Sequence, residues 1–149
     1  MDPGVTGLIK QTPGSIGYVE LAYANQNKLP LTLLQNREGA FVAPTLESTS
    51  AAAAGVEMPA DYRVSLTNPA GANAYPIAAF TYLLVHRDAQ DARKGDSIVR
   101  FLWWAIHQGQ AMAPPLDYAP LPKPVVSMAE KTIQGLQVQG KPVPLASTP

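Results

Sequence analysis

Two histidines, His86 and His107, are the side chains best suited to acid–base or metal chemistry in this 149-residue sequence. Their separation offers no helical i, i+3 or i, i+4 pair to hold a metal ion, and no nucleophile, base and orienting acid can be assembled from spacing. A structural or surface role is the better reading for each. His86 is the less ordinary of the two, because it adjoins Arg87 and Asp88 at the end of an expected strand, and α/β folds gather ligands outside the carboxyl ends of strands. Asp88 and Asp91 read as a solvated loop pair before they read as calcium ligands. Trp103 and Trp104 could stack on a base or a sugar, but their neighbourhood is poor in charge and their helical face apolar, so core packing is favoured. Gly4, Gly7, Gly14 and Gly17 spell neither a dinucleotide fingerprint nor a phosphate loop, and serve turns and packing instead. No catalytic, cofactor-binding or metal-binding residue is assigned, and no enzymatic activity is expected.

The elements that would position these residues alternate between helix and strand. Asp2 and Pro3 open a short amphipathic helix over 3–11 with Val5, Leu8 and Ile9 on one face; Pro13 and Gly14 end it. Residues 15–19 are β-prone, with Gly17 placed for close backbone approach, and helical spacing resumes over 20–26. A hairpin follows over 31–43, turning at Arg37, Glu38 and Gly39. Thr45 caps an alanine-rich helix that ends at Gly55, its small side chains suited to close packing on a sheet. Tyr62, Val64 and Leu66 alternate as in a strand, and 68–73 is the strongest loop signal. The run 75–86 is almost continuously apolar and reads as a central strand covered on both faces. Asp96 is expected to cap a substantially buried helix through Gln108, stopped by Gly109, and a last helix runs from 122–124 to about 136. The tail from Gly140 reads as loosely held.

This alternation points to α/β architecture. The length is sufficient for one ordinary domain. With 11 basic and 11 acidic residues, no general attraction to nucleic acid or anionic membrane is implied. Cysteine is absent, which excludes disulfides and thiolate metal sites. No stretch reaches the roughly 20 apolar residues that span a bilayer, and the start has no export signal. The 15 prolines punctuate loops, and no internal repeat is present.

Three segments together carry more than any one: GVTGLIKQTPGSIGYVELAYANQNKLP, LTNPAGANAYPIAAFTYLLVHRD and FLWWAIHQGQAMAPPLDYAPLP. In this order and spacing they resemble the C-terminal half of periplasmic phosphate-binding proteins of ABC transporters, the PstS type, over about 4–143. The resemblance implies a partial type II periplasmic binding protein fold, in which phosphate is enclosed between two lobes. Residues 1–77 would belong to the second lobe, 78–86 would cross at the hinge, and 87–149 would complete the first lobe. The family holds phosphate with hydroxyls, backbone N–H groups, an arginine and an aspartate. Those motifs would precede Met1, so no phosphate ligand is carried onto this chain.

The implied function is a portion of a protein that captures inorganic phosphate and delivers it to an ABC permease, in a periplasmic or extracytoplasmic setting. The alternative is a stand-alone interaction or scaffold protein that keeps the half-fold without anion binding. A half-fold leaves apolar faces uncovered, and at about 25 cal/mol per Å² even a few hundred Å² is a substantial driving force for association. The expected partner is therefore the missing N-terminal half, or further copies in a homo-oligomer joined through the exposed apolar faces. Phosphate would bind only to the completed protein.

Overall fold

In the computed structural model, which describes residues 2–145, helices and very short strands alternate along the chain. The order is α1 (Asp2–Gln11), α2 (Leu21–Gln26), β1 (Leu34–Gln35), β2 (Phe41–Val42), α3 (Leu46–Ala54), β3 (Leu66–Thr67), β4 (Ile77–Ala78), β5 (Asp88–Ala89), α4 (Ala92–Ile106), α5 (Lys123–Gln134), β6 (Gln137–Val138) and β7 (Lys141–Pro142). Two 3₁₀ turns, Gln108–Met112 and Pro114–Leu116, lie between α4 and α5. The architecture is α/β, but the sheets are fragments: antiparallel pairs β1–β2 and β3–β4, and a three-stranded sheet ordered β5-β6-β7. Within that sheet β5 runs parallel to β6, and β6 antiparallel to β7. The chain divides into two compact units, 1–79 with 113–120, and 80–112 with 121–149.

In the first unit, α1 ends as its punctuation requires, Gly14 taking φ +77 just beyond it. A methyl group on Gly17 would lie 2.8 Å from Ile9 Cδ1 and 3.1 Å from Val5 Cγ1, so it is side chains of α1, rather than another backbone, that approach here. Thr45 and Ser48 form a reciprocal cap on α3: the Ser48 N–H donates to Thr45 Oγ1 at 3.1 Å, and the Thr45 N–H to Ser48 Oγ at 2.9 Å. The alanine run then buries Ala52 and Ala53, and α3 meets β4. Close packing is enforced at its end, because any side chain on Gly55 would collide with the carbonyl oxygen of Ala70.

In the second unit, Val99 of α4 packs with Ile133 of α5 and the adjoining Leu136, joined by Leu102, Trp103, Ile106, Val143 and Leu145. Gly95 lets α4 sit directly on the sheet, since a methyl there would come within 2.7 Å of Ala89 Cβ and 2.8 Å of Val138 Cγ2. Gln139 and Gly140, at φ 51 and 73, turn β6 into β7, the two-residue loop with positive φ at both positions that suits strand twist.

Several sequence expectations are corrected. Residues 15–19 form no strand, and Ile16 and Tyr18 are 97% and 83% exposed. Their β propensity goes unrealised because a strand needs a neighbour's N–H and C=O groups, and no strand among the described residues pairs with them. The same holds for 75–86, where only Ile77–Ala78 is paired and Leu84 is 96% exposed instead of covered on both faces. Of the alternating residues before the loop, only Leu66 enters a strand; Tyr62 takes φ 60 and turns the chain. Asp91, not Asp96, caps α4, and the helix starts earlier because the Asp91 carboxylate accepts from the Lys94 N–H at 3.0 Å. Nor is α4 substantially buried, as Ile98, Phe101 and Trp104 are exposed. The helix closes at His107 and passes into a 3₁₀ turn rather than stopping at Gly109. The tail is held as far as it is described, by β7 and by Val143 and Leu145; residues 146–149 lie outside the described residues.

Candidate functional site

The two histidines occupy different settings. His86 is exposed and belongs to no helix or strand. His107 sits at the end of α4, its Nδ1 2.7 Å from the Trp103 carbonyl oxygen and its Nε2 2.8 Å from Glu130 Oε1 on α5. Its ring also lies 4.5 Å from that of Trp103, centroid to centroid. These contacts join two helices and leave the imidazole no open nitrogen for a substrate. Among the described residues no group of three His, Asp or Glu side chains could hold a metal ion.

The carboxylates singled out by sequence also serve the backbone. Asp88 Oδ1 accepts from the Gly140 N–H at 2.9 Å, and its Oδ2 accepts from Gln90 Nε2 at 3.2 Å. Asp91 caps α4, and the Lys94 N–H that it accepts holds its carboxyl below the ordinary aspartate range, with Lys94 Nζ 3.6 Å away adding to the effect. Asp96 is bonded to Arg100 Nε at 2.8 Å one turn on, which lowers the aspartate and raises the guanidinium. The two tryptophans separate, because successive residues on a helix point about 100° apart. Trp103 lies against the core, while Trp104 is 41% exposed beside Phe101, ring centroids 5.9 Å apart.

Sequence reasoning missed a polar side chain that is heavily bonded. Asn36, buried at the end of β1, donates from Nδ2 to the carbonyls of Gly71, Ala72 and Ala74 at 3.2, 2.9 and 3.2 Å. Its Oδ1 accepts from the N–H groups of Glu38 and Ala40, each at 3.1 Å. Asn68 reinforces the same junction by accepting from the Arg37 N–H at 2.8 Å. The hairpin turn and the loop 68–74 are thereby tied together. The only advance signal was an asparagine just before a turn.

A depression beside Arg93, Lys94, Ser97 and Ile98 is formed by one side of α4. Its two cations are not joined there by a convergent set of buried donors such as a dehydrated anion requires. The distinctive surface is apolar. In the first unit Ile16, Tyr18, Leu33, Phe41 and Ile77 are each more than half exposed. In the second, Leu83, Leu84 and Val85 are 64%, 96% and 40% exposed. No large side chain among the described residues is fully buried. Such surfaces serve association better than catalysis.

No family model matches the chain. It is similar to a protein of Xylella fastidiosa strain 9a5c named phosphate-binding protein PstS, 40% identical over 129 residues that make up 85% of this chain and 35% of the relative. A protein of the same name from Pasteurella multocida is 40% identical over 140 residues, 93% of this chain and 39% of the relative. One from Methanocaldococcus jannaschii is 37% identical over 148 residues, 85% of this chain and 36% of the relative. The chain thus spans little more than a third of the length of these curated relatives.

Proposed function

We propose that this chain is a portion of a PstS-type phosphate-binding protein, the C-terminal one, whose complete form captures inorganic phosphate outside the cytoplasm and delivers it to an ABC-transporter permease. The observation that carries this reading is 40% identity across 85% of the chain to a relative named for phosphate binding, of which the chain spans 35%. The role is that of a binding protein, since the relatives are named as such.

The phosphate ligands belong to the part of the relatives that the chain does not span. A multiply charged anion is held by many donors aimed at one point, whereas Asn36 and His107 are engaged with groups of this chain. Residues 1–77 are assigned to the second lobe, 78–86 to the hinge crossing, and 87–149 to the first lobe. The division of the chain into two compact units near residue 80 supports this assignment, with 113–120 joining the first unit instead. The partner is the N-terminal portion, for which the bare apolar residues of both units provide contact surface.

Calorimetric titration with inorganic phosphate tests the reading. The chain alone is expected to give no binding heat. Supplied with a polypeptide made from the unmatched part of the Xylella fastidiosa relative, it is expected to bind phosphate in a one-to-one complex. Tight binding by the chain alone would show that the ligands lie within it, and a completed protein that ignores phosphate would remove the function.

A further inference from the structure

We propose that His107 and Glu130 form a pH-sensitive latch between α4 and α5, in which the histidine carries a proton on each ring nitrogen and the junction loosens when one of them leaves. The inference is independent of phosphate capture.

A neutral imidazole has one N–H to donate and one bare nitrogen that can only accept. Here Nδ1 lies 2.7 Å from the Trp103 carbonyl oxygen and Nε2 lies 2.8 Å from Glu130 Oε1. A carbonyl oxygen accepts and never donates, and an ionised carboxylate does the same. With a single proton on the ring, the bare nitrogen would face an oxygen, lone pair to lone pair, at hydrogen-bond distance. With two, the ring donates both bonds, and the one to Glu130 is charge-assisted at both ends. A protonated Glu130 donating to a neutral ring would instead place the proton on the group that releases it at the lower pH.

Two further features favour the cation. His107 closes the C-terminal end of α4, where the last carbonyls have no helical partners and partial negative charge collects. Its ring also lies 4.5 Å from that of Trp103, within the range over which an aromatic ring attracts positive charge. Partial burial opposes charging, since the side chain is 19% exposed; the two acceptor oxygens stand where water would otherwise bond. The surrounding charges are engaged elsewhere or exposed. On α4, Arg100 is bonded to Asp96 at 2.8 Å, and Arg93 and Lys94 lie near the start of the helix. On α5, Lys123 and Lys131 are exposed. On the sheet beneath α4, Asp88 accepts from the Gly140 N–H, and the turn 108–112 has no ionisable side chain.

Glu130 precedes Ile133 by one turn, and Ile133 packs with Val99, Trp103 and Ile106 of α4. The latch therefore closes beside the apolar contact that joins the two helices. A native state holding a proton that the unfolded chain has released loses stability as pH rises. The junction is accordingly complete on the acid side of the usual histidine range, about pH 5 to 8, and weakens as pH climbs through and beyond it.

The test is nuclear magnetic resonance of the two imidazole rings in the intact, nitrogen-15-labelled chain. His86, exposed and outside any helix or strand, is the internal reference. At the pH where His86 has released half of its protons, His107 is expected to keep most of its own. Glu130→Gln removes the carboxylate charge, and its amide can either accept from an N–H or donate to a bare nitrogen; it is expected to move the His107 titration towards that of His86. Amide exchange in α5, corrected for intrinsic rates, is expected to quicken on the order of tenfold between about pH 5.5 and 8.5 in the parent and to change less in the variant. A His107 that titrates with His86 or at lower pH overturns the proposal, as does an unchanged titration in Glu130→Gln. A retained proton with α5 exchange level across this range overturns the latch, since the proton then holds nothing closed. Should the variant fail to fold, the parent's two titrations and its exchange profile decide.

Discussion

His107 Nε2 lies 2.8 Å from Glu130 Oε1, joining the residue that caps the end of α4 to the middle of α5 across 23 positions of sequence. Both groups are partly buried, with side chains 19% and 34% exposed. Glu130→Ala is expected to lower the unfolding free energy of the second unit by about 1 kcal/mol, and Glu130→Gln, which keeps an acceptor oxygen, by less. Denaturant titration followed by the fluorescence of Trp103 and Trp104 checks both; equal losses would mean that the contact itself contributes nothing.

Asn36 offers a sharper test, because its amide bonds the loop carbonyls of Gly71, Ala72 and Ala74 as well as the N–H groups of its own turn. Asn36→Ala strands several of these groups and should cost about 2 kcal/mol or more. Asn36→Asp keeps the acceptor but cannot donate to the loop carbonyls, so it should also destabilise the first unit. Chemical denaturation supplies the measurement, and an Asp variant as stable as the parent would contradict the bonding described.

Two glycines should respond oppositely to alanine. At Gly95 a methyl meets Ala89 Cβ at 2.7 Å and Val138 Cγ2 at 2.8 Å. Overpacking of this kind costs about 1–3 kcal/mol, against roughly 1 kcal/mol gained in helix propensity, so Gly95→Ala should destabilise. Gly7 on α1 has nothing within 4 Å of such a methyl, and Gly7→Ala should stabilise by about 0.5–1 kcal/mol. Thermal unfolding of the two variants should move the midpoint in opposite directions.

The cap at Asp91 predicts a pH response. Its carboxyl is held below the ordinary aspartate range, chiefly by the Lys94 N–H. A group whose folded pKa is depressed stabilises the fold above its unfolded pKa and loses that contribution as pH falls through the folded value. The start of α4 should therefore weaken as pH drops below about 4. In Asp91→Asn, which caps without titrating, this component should be absent. Amide exchange at Lys94 and Gly95 over pH 2 to 5, corrected for intrinsic rates, reports it; identical pH dependence in parent and variant would exclude the mechanism.

What could be read in advance was local. The stop after α1, the cap at Thr45, the hairpin around Gly39 and the span of α5 each depend on residues within a few positions of one another. The family resemblance was legible too, because it lay in long runs of residue order. The Asn36 junction was not, since the carbonyls it bonds come from 35 to 38 positions away, and neither was the Glu130 partner of His107.

Strand formation shows the division most clearly. Sequence marked 15–19 and 75–86 as β-prone, and by that measure they are; tertiary structure decided that most of these residues stay unpaired and that Leu84 stays exposed. A helix closes its hydrogen bonds within itself, so the sequence alone determines most of where it forms. A strand closes them only against a neighbour, and whether that neighbour is at hand is settled by the assembled fold.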